Sequence, residues 1–62
     1  MNYYIKIWET ELNRDQGESY IAEILQDKNE AIEQAKKYYY RQNYACIEVE
    51  NQNGELIYEF EN

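Results

Sequence analysis

Four glutamates near the end of the chain, Glu48, Glu50, Glu59 and Glu61, flank Asn53-Gly54 in two alternating pairs. Carboxylates at every second position of a strand point to one side of it. Such a row can grip Lys or Arg through charge-assisted hydrogen bonds, hold a hard cation, or divide acid and base roles between two groups. The rest of the chain narrows that choice. A calcium loop of the EF-hand kind needs a carboxylate at its first position, where Val49 stands ahead of Asn51-Gln52-Asn53-Gly54. Acid–base work by two carboxylates needs a cleft at a set separation, and 62 residues leave little room for one. Thr10 and Ser19 are the only aliphatic hydroxyls, and there is no histidine to activate them as nucleophiles. Cys46 is the single cysteine, which excludes an internal disulfide and a cysteine–histidine zinc site. It is expected beside Glu61, where neighbouring carboxylates discourage the thiolate and leave a small unreactive residue. The chain therefore reads as non-enzymatic, with no catalytic, cofactor-binding or metal-binding residue expected.

A hairpin must position these carboxylates. Asn-Gly between Ile47-Glu48-Val49-Glu50 and Leu56-Ile57-Tyr58-Glu59-Phe60-Glu61 is the strongest short hairpin signal, because both positions of a two-residue turn favour φ > 0. Counting outward sets Gln52 opposite Glu55, Asn51 opposite Leu56, Glu50 opposite Ile57, Val49 opposite Tyr58, Glu48 opposite Glu59, and Ile47 opposite Phe60. Ile47, Val49, Leu56, Tyr58 and Phe60 then form a core face. Glu48, Glu50, Glu55, Glu59 and Glu61 form the other, with no cation in either strand. Like charges set directly opposite cost stability, and a basic partner is the natural compensation.

Upstream, Tyr3 to Glu9 alternates as a strand, with Tyr3, Ile5 and Ile7 on one side and Tyr4, Lys6 and Trp8 on the other. Thr10 to Glu18 is polar and turn-rich, with Gly17 suited to a left-handed conformation. A second strand spans Ser19 to Leu25. Tyr20, Ala22 and Ile24 are assigned inward and Ile21, Glu23 and Leu25 outward, which turns Glu23 away from the helix. Asp27 and Glu30 mark a helix start of capping-box form, and Ala31, Ile32, Ala35, Tyr38 and Tyr39 make one apolar stripe. Glu33 and Lys37 form a favourable i,i+4 pair, Lys36, Lys37 and Arg41 suit the negative end of the helix dipole, and Asn43 is placed for a left-handed stop. Residues 1–62 thus read as a single α+β domain. It is a two-layer ββαββ arrangement, a four-stranded, largely antiparallel sheet with one helix on one face. The simplest strand order is 2-1-3-4, the helix connection crossing strand 1 as in a split βαβ unit. The uncovered face divides into an apolar half, Tyr4, Trp8, Ile21 and Leu25, and the acidic half.

A chain of this size buries only about 60% of the surface its unfolded form exposes, so aromatic packing or association must supply stability. Thirteen acids against six bases give a net charge of −7, unevenly spread: Asp27 to Arg41 is +1 and the remainder −8. That balance argues against direct nucleic-acid binding and against anionic membranes, and it favours a basic protein surface as partner. No apolar run approaches the roughly 20 residues of a membrane span, and the start Met1-Asn2-Tyr3-Tyr4-Ile5-Lys6 lacks the pattern of a signal peptide. With its lone thiol, the protein is expected in the cytoplasm.

In size and charge the chain resembles the small acidic proteins, encoded by phages and mobile elements, that inhibit host nucleases by occupying nucleic-acid-binding grooves. The resemblance lies in overall properties and names a functional category, not one family. It implies that Glu48, Glu50, Glu59 and Glu61 stand in for phosphates while Tyr4 and Trp8 add desolvated contact. The leading expectation is a non-enzymatic interaction protein, an inhibitor acting as a DNA mimic on a basic protein surface. The alternative is a homodimer packed through Tyr4, Trp8, Ile21 and Leu25 across a two-fold axis. Stacking of single-stranded nucleic acid on Tyr4 and Trp8 is a minor third reading, opposed by the charge.

Overall fold

The computed structural model describes residues 1–61. They form β1 (Tyr3–Trp8), α1 (Glu11–Gln16), β2 (Tyr20–Leu25), α2 (Lys28–Arg41), β3 (Cys46–Asn51) and β4 (Leu56–Glu61). The four strands make one sheet in the order β2-β1-β3-β4, and every neighbouring pair is antiparallel. The α+β architecture and strand order are those the sequence implies, with a short helix, α1, added between the first two strands.

The alternation of β1 and β3 sets the core. Ile5 faces Val49 and Ile7 faces Ile47 across the two central strands, and all four side chains are fully buried. Each such burial contributes about 1.5–3 kcal/mol. Helix α2 lies over them on Ala31 and Ala35, whose small side chains let it approach the sheet closely. Leu25, Tyr38, Tyr39, Tyr44 and Phe60 close the rim of this cluster. Asp27 caps α2 as expected, its Oδ2 accepting from the Glu30 N–H at 3.2 Å. The helix ends differently from expectation. Gln42 caps it in an extended conformation, and among the described residues only Gly17 and Gly54 take positive φ, so Asn43 is not a left-handed stop.

Helix α1 occupies the stretch read as a polar loop. Thr10 Oγ1 accepts from the Asn13 N–H at 3.0 Å, and Gly17 at φ 71° closes the other end with Gly17 N–H to Arg14 O and Glu18 N–H to Asn13 O. The six residues bury none of their side chains, so no apolar periodicity marked the helix.

Strand β2 departs from simple alternation. Glu23 lies opposite Ile5 and Ile21 opposite Lys6, which leaves Ala22 as an extra residue in a β-bulge. Parity reverses beyond it. Glu23 and Leu25 therefore face α2, and Ile24 faces the open side, the reverse of the assignment made for these three residues. Glu23 is tolerated there because Gln34 Nε2 and the Tyr38 hydroxyl donate to its Oε1 at 3.1 and 3.0 Å.

The β3–β4 hairpin is also corrected at its tip. Asn53 keeps negative φ and Gly54 alone, at 81°, turns left-handed. The result is a three-residue loop in which Gly54 N–H donates to Asn51 O and Asn51 N–H to Glu55 O, each at 3.0 Å. Nearly buried Asn51 organises it, its Oδ1 accepting from the N–H groups of Asn53 and Glu55. The longer loop shifts pairing by one, so Glu50 meets Leu56 instead of Ile57. A bulge at Ile57 then restores the counted register for Val49–Tyr58, Glu48–Glu59 and Ile47–Phe60. Leu56 is left exposed beside Glu50 while Ile57 packs on the core, so these two exchange faces. Among the described residues no helix is long and apolar enough to cross a membrane.

Candidate functional site

The sheet face opposite α2 is a grid of three rows running across the strands. Ile24, Tyr4, Glu50 and Leu56 form the first, Ile21, Lys6, Glu48 and Glu59 the second, and Trp8, Cys46 and Glu61 the third. All six residues singled out in the sequence, Tyr4, Trp8, Glu48, Glu50, Glu59 and Glu61, are brought onto this one face. Leu25 is not, and Ile24 takes its place in the apolar half. Ile21 and Ile24 are 53% and 55% exposed, whereas Tyr4 and Trp8 are half-buried.

The acidic half is partly neutralised by the protein itself. Lys6 Nζ lies 3.3 Å from both carboxylate oxygens of Glu50 and 5.5 Å from the centroid of the Trp8 ring. Arg14, from α1, reaches the far edge and pairs with Glu61 Oε1 at 2.9 Å. Lys6 was legible from its position in β1. Arg14 was not, because its helix carries no apolar stripe, although Thr10 and Gly17 bracket it with cap residues.

Glu48 and Glu59, directly paired, are left without a cation among the described residues. The Glu59 carboxyl is pushed up to about 7, first by its hydrogen bond with Glu61, then by burial and by the charges of Glu61 and Glu48. Glu61 moves the other way, held low by that hydrogen bond and by Arg14. Up to about neutrality the pair thus retains a proton in common, with Glu59 the favoured site for it. Cys46 is buried beneath them. Burial pushes its thiol up to about 11, with the neighbouring glutamates adding to the effect and Arg14 opposing it. The Cys46 sulfur and carboxylate oxygens of Glu48 and Glu59 lie within 4.8 Å of one another. These are the donors that could converge on a cation, but a thiol held protonated is a poor ligand at neutral pH.

Between the two halves, Tyr4, Lys6, Ile21 and Glu50 border a shallow hollow of about 250 Å³. That is below the roughly 300–1,000 Å³ of small-molecule sites and suits one inserted side chain. Comparison with known proteins found no matching family, no matching curated protein and no matching solved structure.

Proposed function

We propose that the protein is a non-enzymatic interaction module that docks the open face of its sheet onto a basic protein surface. The observation that carries this reading is the grid: four glutamates and two aromatic residues on a face that α2 leaves uncovered. Glu48 presents the strongest demand for an incoming cation, since Lys6 and Arg14 already serve Glu50 and Glu61 and a proton partly satisfies Glu59. Tyr4 and Trp8 contribute contact area of the kind that dominates interfaces. The finer form of the proposal is an inhibitor acting as a nucleic-acid mimic, of the sort phages and mobile elements encode, which occupies Lys and Arg that otherwise grip phosphates. A cytoplasmic setting, where a lone thiol stays reduced, suits that role.

The test is a pull-down from source cells with the wild-type protein and with the E48Q/E50Q/E59Q/E61Q variant, alongside thermal unfolding of both. Capture lost in a stably folded variant supports the carboxylates; equal capture by both removes them from the interface. The exposed Ile21 and Ile24 favour a second reading, a homodimer through the apolar half. Light scattering on the wild type and on Ile21→Lys separates the two, because only a dimer built on this patch dissociates on substitution.

A further inference from the structure

Four of the six cations lie in α2, as Lys28, Lys36, Lys37 and Arg41, while the other two are held by the acidic face. Lys36, Lys37, Tyr40 and Arg41 share the side of the helix turned away from Ala31 and Ala35. All four are exposed, Tyr40 at 72%, and together with Glu33 they line a shallow depression. None of the three cations enters an ion pair among the described residues. The Tyr40 ring is propped edge-on against Tyr39, with centroids 5.5 Å apart, and stands clear of the core. An aromatic ring framed by Arg and Lys is interface composition, and Glu33 is the one carboxylate among the described residues that line the depression.

We infer that this outer face of α2 binds a short acidic segment of another protein, its carboxylates pairing with Lys36, Lys37 and Arg41 while its backbone packs on Tyr40. Charge complementarity selects the occupant. The patch from Glu33 to Arg41 spans about 12 Å of helix, and the chain outside Asp27 to Arg41 carries −8. A nucleic acid would run past the patch and meet that repulsion, whereas a short acidic segment fits within it. The site lies across the sheet from the acidic grid, so it stands independently of the proposed docking there.

The experiment is an amide-resolved NMR titration of the intact chain with a short poly-glutamate peptide at low ionic strength. The expected result is a set of shifts confined to the exposed side of α2 around Tyr40, with apparent affinity at least about tenfold weaker in K36Q/K37Q/R41Q. The variant's own spectrum reports whether its fold is kept, and Tyr40→Ala supplies a second, uncharged disruption that should also weaken binding. Shifts absent from α2, or equal in wild type and triple variant, overturn the inference. An oligothymidine probe that moves the same amides at lower concentration than the peptide would overturn it in favour of nucleic acid. Salt-sensitive self-association lost in the triple variant would overturn it in favour of a second copy.

Discussion

Glu59 sits opposite Glu48 and two positions from Glu61, so three carboxylates crowd one corner of the sheet. Its folded-state pKa, about 7, lies above the value of about 4.3 expected for the unfolded chain. The protonated form is therefore the one the fold favours. That contribution is complete below the unfolded value and is lost as pH climbs through about 7. Glu61 works in the opposite direction, since its lowered pKa favours the ionised form and its contribution disappears only as pH falls below the usual carboxylate range. Glu59→Gln mimics the neutral form and keeps a hydrogen-bond donor toward its neighbours. It should stabilise the protein by about 0.5–1 kcal/mol at pH 8, a rise in Tm of several degrees, with the gain vanishing near pH 5. Thermal melts at the two pH values check this, and a Tm difference independent of pH would refute the shared proton. The same group sets how the proposed docking would respond to pH. A basic partner draws Glu59 into its ionised form, so affinity should rise between pH 6 and 8 in the wild type and stay flat in Glu59→Gln. Glu23, meanwhile, is a carboxylate between sheet and helix held by two donors, and Tyr38→Phe withdraws one of them. The expected cost is about 1 kcal/mol by urea unfolding.

At the scale of elements, the tip of the β3–β4 hairpin decides whether the acidic row is presented correctly. Gly54→Ala meets no neighbouring atom within 4 Å, so its cost is that of holding an L-residue at φ 81°, about 1 kcal/mol. Asn51→Ala should cost more, about 1–3 kcal/mol, because the Asn53 and Glu55 N–H groups lose the side chain that organises them. Urea unfolding of the two variants orders these effects, and a cheaper Asn51→Ala would show that the loop is held by Gly54 alone. The hairpin also shows how far the chain was readable. The Asn-Gly pair announced a turn, and the pairing counted from a two-residue turn holds from Val49–Tyr58 outward because the bulge at Ile57 offsets the longer loop. Asn53 stayed at negative φ because Asn51 accepts its N–H at 2.9 Å and supports a wider loop, a tertiary detail that local dipeptide preference does not carry. The bulge at Ala22 escaped for a related reason. Ile21, Ala22, Ile24 and Leu25 are all apolar, so the pattern could not say which of them faced the helix, and the partners that let Glu23 point inward lie 11 and 15 residues away. In β1 and β3 the faces followed from the sequence, with Ile5, Ile7, Ile47 and Val49 in the core and Tyr4, Lys6, Trp8, Glu48 and Glu50 on the open side.

For the molecule as a whole, charge is segregated: an acidic sheet face, partly satisfied by Lys6 and Arg14, and a basic outer helix face, on a body 31 × 23 × 15 Å across. The Debye length is about 10 Å at 0.1 M salt, shorter than most separations across this body. At low salt the two faces feel each other and the net −7 acts as one field; at physiological salt each face addresses its own surroundings. Two salt effects of opposite sign follow. Self-repulsion among thirteen acids destabilises the folded chain, whereas the half-buried Lys6–Glu50 pair and the rim pair Arg14–Glu61 offset only a small part of it. Screening therefore removes more repulsion than attraction, and Tm should rise by about a few degrees between 20 mM and 500 mM NaCl. Affinity for a basic protein should fall over the same range, because there the attraction itself is screened. Measuring both on one preparation separates the causes: a complex that weakens while its free component grows more stable is held by the carboxylates. An affinity indifferent to salt would assign binding to Tyr4, Trp8, Ile21 and Ile24, and would leave the acidic row as a device against self-association.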